Sequence, residues 1–305
     1  MKIIDKSFYV NLYVFIGKHK LKGDVNMRIL DFETLEQYKN RLVEEEKSEA
    51  TIEKYIRDVT VFVIWADGRG IDKRLMLEYK NRLMEQYADA SVNSAVSSLN
   101  SLLDYLGWHD CKVKTLKIQR RIFADKDKEL TKAEYERLLK AAQEKKNERL
   151  YYLMQTICVT GIRVSELKYI TVEAVNNRCA DIRCKGKTRT VILHKQLCKM
   201  LKGYIKAHNI KSGSVFVTRN GKPLDRSNIW ADMKKLCDTA GVARSKVFPH
   251  NLRHLFARTF YSLQKDIVRL ADILGHSNVN TTRIYTMESG DIHRRQIEKM
   301  GLLRC

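Results

Sequence analysis

Six side chains carry chemistry that could be pooled: Arg163, Lys185, His250, Arg253, His276 and Tyr285. Severing a phosphodiester without a metal needs four things. They are a nucleophile, cations around the non-bridging oxygens, an acid for the leaving oxygen and a base for the nucleophile. The phenol of Tyr285 can attack. The guanidiniums of Arg163 and Arg253 are permanently charged, and each planar fork matches two phosphate oxygens. Taken singly, each residue has a blander reading. A lone Tyr is usually half-buried packing, a lone Arg a surface ion pair, and a turn Lys merely solvated.

Their settings favour the sharper reading. Thr160-Gly161-Ile162-Arg163-Val164-Ser165-Glu166-Leu167 follows an apolar run from Leu150 to Val159, which argues for a semi-buried Arg163. Glu166, three residues on, shares its helical face and could orient it. In Pro249-His250-Asn251-Leu252-Arg253-His254 the proline suits a first helical turn. His250 and Arg253 then lie near a helix N-terminus, where an anion is favoured. His276 and Tyr285 fall within Leu-Gly-His-Ser-Asn-Val-Asn-Thr-Thr-Arg-Ile-Tyr. Lys185 sits in a predicted hairpin turn, with Lys187 as its competitor.

In this order and at these spacings, the three motifs resemble the active site of the tyrosine recombinases, the phage-integrase family. The resemblance is strong over roughly residues 127–290 and weak before that. It implies that Tyr285 attacks the scissile phosphate, giving a 3′-phosphotyrosyl link and a free 5′-hydroxyl. A 5′-hydroxyl from a partner strand then attacks that link. Bond energy is kept, so the resemblance implies no ATP, metal or other cofactor. It further implies that Lys185, which precedes a Gly as in Xer-type relatives, protonates the leaving 5′ oxygen. His250 would help proton transfer at the nucleophile, and His276 would hydrogen-bond the phosphate. His254 matches the family's Leu-Arg-His string and is expected to pack behind these groups, as Glu166 is expected to orient Arg163.

Composition agrees with a polyanionic partner. Lys plus Arg number 57 against 36 for Asp plus Glu, a net charge of +21. No apolar run is long enough to span a bilayer, so nucleic acid is preferred to a membrane, and the resemblance implies double-stranded DNA. Seven cysteines, an odd and scattered set without a CxxC, suggest reduced thiols in an intracellular, cytoplasmic protein. Cys179, Cys184, His194 and Cys198 fit no usual zinc spacing, so no metal is expected.

The predicted fold is mainly α with a small antiparallel β-sheet. Residues 1–30 form an extension of unassigned role. Residues 31–110 read as a four-helix bundle, with the second helix on Ile52, Ile56, Val59 and Val63 and the fourth on Val92, Val96, Leu99 and Leu103. By resemblance this is the SAM-like core-binding domain that clamps DNA, with Lys54, Arg57, Lys80 and Arg82 as phosphate-contact candidates. Residues 111–128 read as a basic linker, where Lys112, Lys114, Lys117, Arg120 and Arg121 could neutralise phosphates. Residues 129–305 form the catalytic domain. It opens on a capping box at Thr131 and Glu134, with strands at 169–171, 181–184 and 190–193. Its helices are expected near 195–207, 227–240, 249–263, 267–274 and 277–285, and a helix is expected to begin at Arg163.

The amphipathic tail, with Ile292, Ile297, Met300, Leu302 and Leu303, could dock on a neighbouring protomer or fold back on its own domain. The resemblance implies a homo-tetramer on two DNA sites from a chain that is monomeric or weakly associated when free. Accessory DNA-bending factors are compatible with it. Integration, excision, inversion and resolution all stay open. The rivals are a type IB topoisomerase, a non-catalytic DNA-binding protein and a membrane-surface protein.

Overall fold

The computed structural model describes residues 28–119, 126–184, 187–218, 220–285 and 290–300. Residues 1–27 of the N-terminal extension, Arg120, Arg121 and Lys185 fall outside the described residues, as does the side chain of Lys187. The chain divides between Arg120 and Arg121 into two compact units.

The first unit holds α1 (Phe32–Glu44), α2 (Glu49–Ala66), α3 (Lys73–Gln86) and α4 (Asp89–Tyr105). Asp31 caps α1 by accepting from the Thr34 N–H at 2.8 Å, and Asp72 caps α3 by accepting from Leu75 at 2.7 Å. The apolar stripes meet in one core of Tyr38, Leu42, Val59, Phe62, Met76, Tyr79, Val96, Leu99 and Leu103. The expected linker begins later than its composition suggests. Cys111 and Val113 are buried in this core. Asn100 holds the backbone of Val113 and Asn93 that of Leu116, each through a donor and an acceptor. Those asparagines lie seven residues apart, two turns along one face of α4, so they strap the following segment to the bundle.

The second unit carries α5 (Lys132–Glu144), α6 (Glu148–Thr160), α7 (Val172–Asn177), β1 (Cys179–Cys184), β2 (Lys187–Ile192), α8 (Lys195–Ala207), α9 (Arg226–Lys234), α10 (Cys237–Ala240), α11 (Pro249–Gln264), α12 (Ile267–Leu274), α13 (Val279–Thr282) and α14 (Gly290–Lys299). The capping box at Thr131 and Glu134 forms with both of its hydrogen bonds. The apolar α6 is the central helix, packed against α5, α8 and α11. Strands β1 and β2 pair antiparallel, with Ile182 opposite Arg189. Among the described residues, no helix is long and apolar enough to cross a membrane.

Four local expectations change. Residues 169–171 form no strand of this sheet; Thr171 makes an isolated bridge to Ser214 and caps α7 through Ala174. The Arg163 segment is a 3-10 helix over Val164–Tyr169, with Arg163 itself extended. The helix expected over 227–240 breaks into α9 and α10. The one expected over 277–285 is only the four-residue α13, followed by a 3-10 turn over Arg283–Tyr285. Periodicity marks which side is apolar, but not whether the backbone closes i+3 or i+4 bonds over so few residues.

Candidate active site

Two helices end where α11 presents Arg253. Helix α6 stops at Gly161 with φ +67, and α12 stops at Gly275 with φ +66. Each glycine is needed twice over. The left-handed backbone disfavours other residues, and a Cβ would lie 2.4 Å from Phe256 at Gly161 or 2.5 Å from Arg189 at Gly275. Arg253 Nη1 donates to the Gly161 carbonyl at 2.6 Å and Nη2 to the Leu274 carbonyl at 2.8 Å. Carbonyls left over at helix C-termini carry the negative end of the helix dipole. They therefore stabilise a guanidinium that is only 1% exposed and has no carboxylate of its own. Burial, and repulsion from Arg163, still lower its pKa to about 10, so it stays charged at neutral pH. Its Nε is buried without a partner.

The turn after Gly275 delivers His276. Its Nε2 lies 2.8 Å from Arg253 Nη2, and its Nδ1 lies 2.8 Å from the Thr282 hydroxyl. Since guanidinium can only donate, Nε2 is the acceptor and Nδ1 carries the proton. Burial first, then Arg253 and Arg163, lower the His276 pKa to about 4 and keep this neutral form. Tyr285 is buried between two imidazoles. His276 stacks at 5.9 Å and 15°, and His254 meets it edge-on at 4.6 Å and 83°. The phenol also interacts with the Arg253 guanidinium and offsets part of its lowered pKa. His250 contacts His254 at 4.6 Å, and burial beside Arg253 and Arg163 lowers its pKa.

Arg163 enters from the other side through Glu166, which is 1% exposed. Glu166 accepts from Arg163 Nη1 at 3.0 Å and from the Arg163 backbone N–H at 2.7 Å. It also takes a two-pronged grip from Arg189 of β2, at 3.0 and 2.8 Å. Burial alone would raise the Glu166 pKa, but these donors win and lower it. Arg163, His250 and Arg253 open together onto a cleft of about 800 Å³, whose far wall includes Arg226 and Trp230 of α9. A larger cleft of about 1230 Å³, around Tyr152, Tyr204 and His208, lies away from these side chains and gathers no comparable charge.

The structure thus brings together Arg163, Glu166, His250, Arg253, His254, His276 and Tyr285. Sequence reasoning missed Arg189, Thr282, Arg226 and Trp230. One signal was present for Arg189: it shares the inward parity of β2 with buried Val191, where alternation calls for an apolar residue.

The candidate phosphate contacts divide. Lys54 is turned inward to Asp58, Ser98 and the Ser94 carbonyl. Lys112 holds Asp104 at 2.8 Å, and Lys80 donates to the Lys114 carbonyl at 2.7 Å. Arg57, Arg82, Lys114 and Lys117 stand exposed.

Comparison with known proteins gives this geometry a context. The Phage integrase family pattern matches residues 128–290, and the Phage integrase, N-terminal SAM-like domain pattern matches residues 35–110. Tyrosine recombinase XerA of Thermococcus kodakarensis is 30% identical over 282 residues, covering 89% of this chain and 96% of that protein. XerA of Pyrococcus furiosus is 28% identical over 287 residues, covering 90% and 96%. In fold, the chain is similar to the XerH site-specific recombinase bound to difH substrate, with a TM-score of 0.67 at 21% identity over 90% of this chain and 85% of that one. It is also similar to a lambda integrase tetramer bound to a Holliday junction, with a TM-score of 0.69 at 19% identity over 90% and 84%.

Proposed function

Because this chain belongs to the phage integrase family, and is a tyrosine recombinase acting in site-specific DNA recombination, we propose that Tyr285 is its nucleophile. The observation that carries the proposal is the convergence of four separated segments. Arg163, His250 and Arg253 line one cleft, His276 lies 2.8 Å from Arg253, and the Tyr285 phenol interacts with Arg253. In the proposed reaction Tyr285 attacks a backbone phosphorus and the 5′-hydroxyl leaves. Arg163 and Arg253 stabilise the charge on the non-bridging oxygens. His250 assists the nucleophile's proton, and His276 turns its Nε2 from Arg253 to the phosphate. Lys185 is proposed as the acid for the leaving oxygen, on its resemblance alone.

The test is covalent trapping on a nicked DNA that loses its 5′ end after cleavage. Wild type should form a denaturation-resistant adduct, and Tyr285→Phe should form none while keeping DNA affinity within a few-fold. An adduct from Tyr285→Phe would overturn the assignment.

We further propose double-stranded DNA as the partner, the first unit and the basic stretch after it as a clamp, and four protomers on two sites. The tail beyond Tyr285, including exposed Ile297 and Met300 of the α14 end, is proposed to dock on a neighbouring protomer. A chain ending at Glu288 should then bind single sites normally and fail to pair them. Unchanged pairing in gel-shift assays would sink that part.

A further inference from the structure

We infer that Arg189 is a positioning residue, one that saturates Glu166 so that the positive charge of Arg163 stays uncancelled and available to the cleft. The inference rests on the proposed reading of that cleft as a phosphoryl-transfer site. Arg189 touches no reacting atom in this scheme; it acts through Glu166.

Glu166 is buried, and both oxygens are doubly engaged. Oε1 accepts from Arg163 Nη1 and Arg189 Nη1, each at 3.0 Å. Oε2 accepts from the Arg163 backbone N–H at 2.7 Å and Arg189 Nη2 at 2.8 Å. A buried carboxylate left alone with Arg163 would pair with it one to one. The pair would be neutral, and the fork would turn toward the carboxylate and away from the cleft. Two guanidiniums against one carboxylate leave a net charge of +1.

The geometry says which arginine keeps that charge free. Arg189 is the more buried, with its side chain 17% exposed against 36% for Arg163. Arg189 grips both carboxylate oxygens through its fork, the arrangement that best satisfies a carboxylate. Arg163 spends a single side-chain bond and lines the cleft with His250 and Arg253. Arg189 also lies directly beneath Gly275, where a Cβ would fall 2.5 Å from Nη1 and 2.7 Å from Cδ. One side chain thus ties three segments together: strand β2, the Arg163 turn and the turn that delivers His276.

The test uses the full chain and the same nicked DNA, scoring the rate of adduct formation against DNA affinity. Arg189→Gln keeps much of the shape and removes the charge. It should slow adduct formation on the order of 10²-fold, the scale of losing one charge-stabilising group, with affinity within a few-fold. The decisive variant adds Glu166→Gln to Arg189→Gln. Removing the carboxylate's charge returns Arg163 to the phosphate, so the double variant should be at least about tenfold faster than the single. Arg189→Lys, which keeps charge but not the fork, should fall between wild type and Arg189→Gln.

A neutral methylphosphonate at the scissile position should shrink the Arg189→Gln deficit, because less charge then needs stabilising. If Arg189 serves only to hold the fold, the double variant will be no faster than the single and the methylphosphonate will leave the deficit unchanged. Either result overturns the inference. Failure of wild type to form any Tyr285 adduct would instead overturn the underlying reading. A normal wild-type adduct with Arg189→Gln equally fast would overturn the inference alone.

Discussion

The two units of the molecule use their cations differently. In the bundle of α1–α4, Lys54 meets Asp58 at 2.8 Å, Arg69 meets Glu78 at 3.1 Å and Lys112 meets Asp104 at 2.8 Å. In the unit that carries Tyr285, Arg163 and Arg189 share one carboxylate, and Arg253 leans on two helix ends. A folded core gains little from unbalanced charge, since burying an ion costs several kcal/mol unless it is compensated. These three bundle cations each have a carboxylate; near Tyr285, Arg253 leans on backbone carbonyls, and Arg163 with Arg189 leaves positive charge over. That surplus is what a phosphate in transit requires, and it locates function in the second unit more sharply than total charge does.

The comparison breaks most visibly at Arg253. Lysine keeps the charge but is shorter and loses the fork whose two ends reach the two helix-end carbonyls. Arg253→Lys should slow adduct formation on the order of 10²- to 10³-fold. It should also cost about 1–3 kcal/mol of stability, through the carbonyl left unpaired. Single-turnover trapping beside thermal unfolding measures both. A variant within twofold of wild type in rate, with unchanged unfolding, would mean that the cradle does not matter.

That cradle also marks what the chain's letters reveal. Helices expected near 195–207 and 267–274 occur with those bounds, and the capping box at Thr131 and Glu134 forms, because stripes and caps are written in side chains a few positions apart. The clustering of Arg163, Arg253, His276 and Tyr285 was foreseeable from separated motifs. The carbonyls that hold Arg253 were not, since every residue has one and only the fold decides which are spare. Arg189 escaped for a related reason. Its partner Glu166 lies 23 residues away on another element, and the hairpin lysines drew attention to the turn instead. The strap over Cys111–Leu116 was hidden because its basic composition reads as a solvated connector, whereas Asn93 and Asn100 satisfy its backbone.

Acid should separate the units at an intermediate cost. The folded pKa of His254 lies at about 3 and that of His276 at about 4, both below the ordinary 6.5 and both through burial first. Between those values the unfolded chain binds protons that the folded chain refuses, so stability rises with pH there. The contribution is therefore whole above pH about 6.5 and is lost progressively as pH falls toward 4. Protonating His276 would also turn its Nε2 from acceptor to donor, against Arg253. Hydrogen exchange between pH 6.5 and 4.5, above the carboxylate range, should show protection falling over residues 250–285 more than over 32–105. Equal loss in both units would show that the buried histidines do not set acid stability.

The smallest effect sharpens the contrast from the bundle's side. Lys54 donates to Asp58 at 2.8 Å, to the buried Ser98 hydroxyl at 2.8 Å and to the Ser94 carbonyl at 3.0 Å, which joins α2 to α4. Ser98 also donates to Asp58 at 2.9 Å, so the carboxylate keeps a hydrogen-bond donor when the lysine is removed. Lys54→Met should therefore cost about 1–2 kcal/mol of stability, and leave the adduct rate and the salt dependence of DNA binding unchanged. Arg57 is the internal control: it is 49% exposed and lies 3.6 Å from the same aspartate. If it meets a phosphate, Arg57→Met should flatten the slope of log affinity against log salt by about 0.9 with little loss of stability. The reverse pattern, with the slope falling in Lys54→Met and stability falling in Arg57→Met, would show that this unit's paired cations open to DNA and that its pairing is not a structural end in itself.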